Sequence, residues 1–191
     1  IFSGTLSYLF NNYDGELEFS RMVADAREKG FTEPDPRDDL SGMDVARKLV
    51  ILAREMNFSI GISDVSVESL VPEKLRDISV DDYLDQLSEY DEAMNLRLAE
   101  ARNNNKVLRY IAKLDSSGKA SVKLDAISID HPFAELKGSE NVIKYMTERY
   151  SDYPLVHKGP GAGAEVTAAG IFSDLLMVVQ HIDRFNPFIT E

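Results

Sequence analysis

From Met43 to Met56 the chain reads as a helix, and its stretch Leu49-Val-Ile-Leu-Ala53 is apolar on every side. A helix without a polar face belongs inside a protein, so this segment constrains the fold more than any other. It is expected to be buried, yet its first turns carry Asp44 and Lys48, four residues apart and therefore on one face. The approach to it is charged and stiff. Residues 32 to 48 read Thr-Glu-Pro-Asp-Pro-Arg-Asp-Asp-Leu-Ser-Gly-Met-Asp-Val-Ala-Arg-Lys, with five carboxylates, two prolines and one glycine. Proline fixes φ and pushes the residue before it toward extended backbone, so Glu33 and Asp35 are expected on a non-helical stretch. Ser41 or Gly42 then supplies the break into the helix.

Two readings of this run stand. In one, the acids complement a helix N-terminus, and Asp44 and Lys48 form a surface pair contributing about 0.3–0.5 kcal/mol. In the other, Lys48 lies on a buried helix, where an ammonium needs partners to keep its charge. Held by carboxylates at a pocket, such a lysine is a candidate for general acid–base chemistry. A hard-cation site at Asp35, Asp38 and Asp39 is a poorer third reading, because such loops draw on more regular oxygen spacing.

The rest of the chain reads in order. Thr5 to Asn12 and Glu18 to Lys29 are expected helices, with Gly30 capping the second. Val65 to Val71 is an expected strand ending at Pro72, and Val80 to Asn103 a long, highly charged helical region. Lys106 to Leu114 and Ala120 to Ile129 alternate as strands around Asp115-Ser-Ser-Gly118, a hairpin signal. Asn141 to Tyr150 and Leu155 to Lys158 are further expected strands, followed by a glycine loop and a last apolar helix from Ala164 to Ile182. Helices, then strands, then one helix predict an α+β fold, with a mostly antiparallel or mixed sheet covered by helices on one face.

Charge narrows the partners. Of 191 residues 33 are acidic and 21 basic, giving a formal net charge of −12. Such a surface argues against nucleic acid and anionic membrane, and no apolar run approaches the roughly 18 residues a bilayer requires. The chain contains no cysteine and three histidines. His131, His157 and His181 share no ligand spacing, so no metal site is expected. A cytoplasmic location is the expectation. The opening Ile-Phe-Ser-Gly-Thr lacks an initiator methionine and reads as the interior of a longer polypeptide.

Two glycine motifs remain. Ser3-Gly-Thr5 reads first as a helix cap and second as a source of backbone and hydroxyl groups for a ligand. Gly159-Pro-Gly-Ala-Gly-Ala-Glu-Val-Thr167 is neither a phosphate-binding loop nor a dinucleotide fingerprint. A tight turn is its plain reading, and close backbone approach to a ligand the functional one.

Taken together, the Glu33–Lys48 run followed by Leu-Val-Ile-Leu-Ala-Arg-Glu resembles the signature of homoserine dehydrogenases. The opening Phe-Ser-Gly-Thr-Leu-Ser-Tyr and the closing Gly-Pro-Gly-Ala-Gly-Ala-Glu-Val-Thr-Ala-Ala-Gly resemble the same family. The likeness is greatest to the dehydrogenase part of bifunctional aspartokinase/homoserine dehydrogenases. The resemblance implies NAD(P)H-dependent interconversion of L-aspartate 4-semialdehyde and L-homoserine, on the path to threonine, isoleucine and methionine. It implies Lys48 as the proton-transferring residue and Glu33, Asp39, Asp44, Gly4 and Thr5 at the small-molecule substrate. Gly163 falls at a residue that meets the NADP or NAD cofactor. The family's sheet-mediated homodimer is implied as well. Residues 1–158 would form the substrate-binding and dimerisation domain, and 159–191 a glycine loop and helix packing on a nucleotide-binding half not found here. An association module, inactive alone, is the alternative.

Overall fold

The computed structural model describes residues 1–185. The chain divides into two units, Ile1–Gly159 and Pro160–Glu191. The first begins with α1 (Gly4–Asn12) and α2 (Phe19–Glu28). Ser3 caps α1, its hydroxyl accepting from the Leu6 amide at 3.1 Å. A five-residue helix, α3 (Pro36–Leu40), follows inside the acidic run, and α4 (Met43–Glu55) comes directly after it. Asp35 starts α3 by accepting from the Arg37 amide at 3.0 Å, with Pro36 at the first helical position, where its missing N–H costs nothing.

The sheet is mixed. β1 (Val65–Val67), β3 (Ala120–Ser128) and β2 (Lys106–Leu114) lie in the order β1-β3-β2, with β1 parallel and β2 antiparallel to β3. The β2–β3 hairpin turns as its sequence predicts: Asp115 Oδ1 accepts from the Ser117 amide, the Ser117 hydroxyl and the Lys119 amide at 2.6–3.0 Å. α5 (Val80–Gln86) and α6 (Asp91–Asn103) precede this hairpin, and β4 (Glu140–Tyr145) with β5 (Leu155–Pro160) makes a separate two-stranded sheet. The fold is α+β, as the order of elements predicted.

Strand alternation separates two clusters. Leu108 and Tyr110 of β2, with Val122 and Leu124 of β3, join Leu6, Phe10, Val23, Val45, Leu49 and Leu98 from the helices in the main core. Ile111 projects from the other face into a smaller cluster with Ile1, Phe133, Leu136 and Val142. Arg109 also sits on that second face, buried, and donates to four carbonyls, those of Phe10, Leu108, Phe133 and Ala134, at 2.6–3.0 Å. Burial alone brings its guanidinium down to about 10. Among the described residues its hydrogen-bond partners are all carbonyls, whose dipoles compensate the buried charge.

Several expectations change. The Met43–Glu55 helix is not buried all round: Val45, Ala46, Leu49, Val50 and Ala53 are buried, while Ile51 is 60% exposed. Apolar composition concealed an ordinary amphipathic period, and Lys48 lies on the open side. The expected 80–103 helix tightens into a 3-10 turn at Leu87–Tyr90. The buried positions Tyr83, Leu87, Asp91, Met94, Leu98 and Ala101 keep spacings of three and four through it, so hydropathy alone shows no break. Asp91 is spent on α2, accepting from the Ser20 amide and hydroxyl at 2.7 and 2.6 Å. β1 ends at Val67, short of the expected Val71; the next residue, Glu68, pairs with Arg97 at 2.7 Å and accepts from the Leu124 amide. β4 ends at Tyr145 rather than Tyr150.

The second unit contains α7 (Ala164–Phe185). Gly163 starts it, accepting from the Thr167 amide at 3.0 Å, with a φ of +122°. Residues 186–191 of the expected 159–191 segment lie outside the described residues.

Candidate active site

The loop from Phe31 to Asp35 is held between α1 and α3. Thr5, in the first turn of α1, directs its hydroxyl to the Phe31 carbonyl at 2.6 Å and to Asp39 Oδ1 at 2.8 Å. Asp39 Oδ2 accepts from the Glu33 amide at 2.8 Å. The Glu33 side chain is left exposed. One side of this loop is therefore pinned to α1 while the Glu33 carboxylate faces outward.

Asp35 and Arg37 anchor the other end. The Arg37 guanidinium binds both Asp35 oxygens at 2.7–3.1 Å and donates to the carbonyls of Leu75, Arg76 and Ile78 at 2.7–3.1 Å. The bidentate arginine holds the Asp35 carboxyl below the usual carboxylate range. Asp35 is thus a structural acid. Asp35 and Asp39 face different partners, and no group of three or more metal-binding side chains forms among the described residues.

Between α3 and α4 the chain turns at Gly42, which has a φ of +73°. A Cβ on Gly42 would lie 2.0 Å from Tyr110 Oη. Tyr110 is itself fixed, buried and donating to the Glu68 carbonyl at 2.6 Å. This close approach sets where α4 begins and hence where Asp44 and Lys48 stand. The glycine was visible in the sequence; its partner, 68 positions away in β2, had no local signal.

Lys48 Nζ lies 2.7 Å from Asp44 Oδ2 and donates to the Phe2 carbonyl at 3.1 Å. Both side chains are about half exposed, 47% and 54%. The exposed lysine corrects the expectation of a buried one: contacts with Asp44 and Phe2, and not desolvation, define its surroundings. Phe2 and Thr5 flank the N-terminus of α1, so Lys48 and the Asp39–Glu33 group are fastened to the same short segment three residues apart. Gly4 lies between them, opening α1, and its absent side chain would meet only Ser139 at ordinary contact distance. The first-turn amides of Gly4 and Thr5 have no intrahelical acceptor, so this helix end carries free donors on the segment that holds the Lys48 ammonium and, through Asp39, the Glu33 main chain.

The arrangement is open. A cavity of about 270 Å³ lies behind Phe2, lined by Leu49, Leu52, Ala112, Phe133 and Tyr145 among others, and Lys48 is not on its wall. Gly163 belongs to the second unit, and no atom of the described residues lies within 4 Å of the position a Cβ would take there. His131 accepts from the Phe133 amide at 3.2 Å, and His157 meets the Tyr145 ring edge-on. Neither joins the group around Lys48.

An α+β domain that fastens a paired lysine and an acidic loop to one helix end is a framework for handling a small polar substrate. Residues 1–176 match the sequence model of a family described as homoserine dehydrogenase. A maize bifunctional aspartokinase/homoserine dehydrogenase 1 is 52% identical over 184 residues, 95% of this chain and 20% of that protein. The homoserine dehydrogenase of Saccharomyces cerevisiae is 45% identical over 95% of this chain and 52% of its own length. A Candida auris protein of unknown function, solved as a crystal structure, superposes with a TM-score of 0.90 at 44% identity, covering 95% of this chain and 52% of that one. The chain belongs to the homoserine dehydrogenase family. It spans about a fifth of the maize protein's length and about half of the yeast one's. Among the described residues no helix is long and apolar enough to cross a membrane.

Proposed function

We propose that this chain supplies the substrate-binding half of a homoserine dehydrogenase, which interconverts L-aspartate 4-semialdehyde and L-homoserine. The observation that carries the reading is the fastening of Lys48 and Glu33 to one helix end, through Phe2 on one side and Thr5 and Asp39 on the other. Glu33 binds the α-ammonium of the substrate. Lys48 places its ammonium at the carbonyl oxygen, stabilises the charge that develops there and donates the proton; in the reverse direction it accepts that proton. Asp44, at 2.7 Å, keeps the lysine aimed. The donors of Gly4 and Thr5 complete the polar end.

The family's cofactor is NADP or NAD, which supplies a hydride when bound. The described residues contain no parallel βαβ unit opening on a glycine fingerprint, so they do not cradle a dinucleotide by themselves. Gly163, with no side chain at the start of α7, is the residue of this chain assigned to meet the cofactor. In this reading residues 1–158 form the substrate-binding and dimerisation domain. Residues 159–191 pack on a nucleotide-binding half. The protein works as a homodimer, within a bifunctional polypeptide like the maize relative, in the cytoplasm; the maize relative itself is named chloroplastic.

Glu33→Gln in the full-length protein tests the ammonium assignment. Losing a charge-assisted hydrogen bond of about 1.5–3 kcal/mol should lower kcat/KM for aspartate semialdehyde roughly 10- to 100-fold. Most of the loss should appear in KM, measured by steady-state NAD(P)H oxidation. An unchanged KM would take Glu33 out of the substrate site.

A further inference from the structure

The Glu33 side chain is exposed, and the stretch that carries it is gripped from a distance. Pro34 and Pro36 fix φ on either side of Asp35, so holding Asp35 limits where the Glu33 main chain can stand. What holds Asp35 is Arg37, and what holds Arg37 lies 38 to 41 positions further along the chain. Nε and Nη2 of Arg37 reach the two Asp35 oxygens at 2.7–3.1 Å. The carbonyls of Leu75, Arg76 and Ile78 gather around Nη1 at 2.7–3.1 Å. The guanidinium carbon lies over the Tyr83 ring of α5, 5.3 Å from its centre, and Tyr83 is fully buried. The Tyr83 hydroxyl has no hydrogen-bond partner among the described residues, so the ring face is the part that meets Arg37. The Arg37 side chain is only 15% exposed, which shields these contacts from water. Arg27 also donates to the Pro34 carbonyl, at 3.1 Å, but from an exposed residue.

We propose that Arg37 and the Tyr83 ring form a remote clasp: they are positioning residues that, through Asp35, hold the Glu33 carboxylate where the substrate's ammonium binds. The proposal rests on the reading of Glu33 given above. In this role neither residue touches the substrate. The clasp needs a planar fork at position 37, because a single ammonium cannot serve two carboxylate oxygens and three carbonyls together. At position 83 it needs an aromatic face but no hydroxyl.

The test uses the full-length protein with aspartate semialdehyde and NADPH or NADH. Arg37→Lys and Tyr83→Leu should each raise KM about tenfold, on the scale of one or two hydrogen bonds or a shielded cation–π contact. Their kcat should stay within about twofold of wild type, and Tyr83→Phe should hold both constants within the same range. In a Glu33→Ala background, Arg37→Lys should lower kcat/KM by no more than about twofold further, because residues that act through one group are not additive. The full tenfold loss in that background would make Arg37 a general structural residue and overturn the clasp. So would an unchanged KM in Arg37→Lys, or Tyr83→Phe as impaired as Tyr83→Leu. If Tyr83→Leu does not fold, Arg37→Lys with its cycle decides alone. Glu33→Ala separates the two layers: if it raises KM while Arg37→Lys fails its expectation, the reading of Glu33 stands and the clasp falls. If Glu33→Ala leaves KM unchanged, both fall.

Discussion

Lys48→Ala in the full-length protein is expected to lower kcat for aspartate semialdehyde reduction by about two to four orders of magnitude, the usual contribution of a positioned proton donor. The lysine is held at 2.7 Å by Asp44 and at 3.1 Å by the Phe2 carbonyl, and alanine removes both contacts and the charge. KM should change much less, because the proposed function gives the substrate's ammonium to Glu33 and not to Lys48. Lys48→Arg distinguishes charge from proton transfer. Arginine stabilises a developing alkoxide but does not release a proton at neutral pH, so it should recover only part of the loss. Steady-state kinetics on the three proteins measure this, and near-normal kcat in Lys48→Ala would remove Lys48 from the chemistry.

The largest expected effect on stability lies at Gly42. Alanine there is forced to a φ of +73°, which costs an L-residue roughly 1–2 kcal/mol. Its Cβ also falls 2.0 Å from Tyr110 Oη and 2.9 Å from Cζ. Tyr110 is 2% exposed and gives its proton to the Glu68 carbonyl, so moving it strands a buried hydroxyl, a further cost of about 1–3 kcal/mol. Together, Gly42→Ala should destabilise the protein by about 2–5 kcal/mol, from the upper part of the ordinary range of about 0.5–3 kcal/mol to beyond it. Urea unfolding with an unchanged m-value would measure it. Combining it with Tyr110→Ala should relieve the steric part relative to the sum of the single changes, leaving the φ strain. A loss under about 0.5 kcal/mol, the range of a neutral surface change, would mean that α4 does not start from this turn.

The features that were legible in the sequence are those set by near neighbours. Ser3 before α1, the extended Asp35 before Pro36, Asp115-Ser-Ser-Gly118 between two alternating strands and the 3.6 period of α2 each act within a few residues, and each appears as expected, whereas the short helix α3 that Pro36 opens was not expected. The candidate run stood out for the same reason, its acids, prolines and lysine being contiguous. What was not legible depends on distant partners. Leu49 to Ala53 contains no polar residue, so nothing in it signals that Ile51 faces outward; the packing of α4 on the sheet decides that. Arg109 sits in a strand of apolar neighbours and is accommodated by carbonyls from Phe10 and from Phe133 and Ala134. Asp39 looked like any other acid of the run until Thr5, 34 positions earlier, took one of its oxygens.

The central claim is that these residues serve aspartate semialdehyde, and product analysis on the full-length protein tests it most directly. Incubated with aspartate semialdehyde and NADPH or NADH, it should form homoserine in a one-to-one ratio to the reduced cofactor consumed. Cofactor oxidation that yields no homoserine, or none that depends on the aldehyde, would contradict the account.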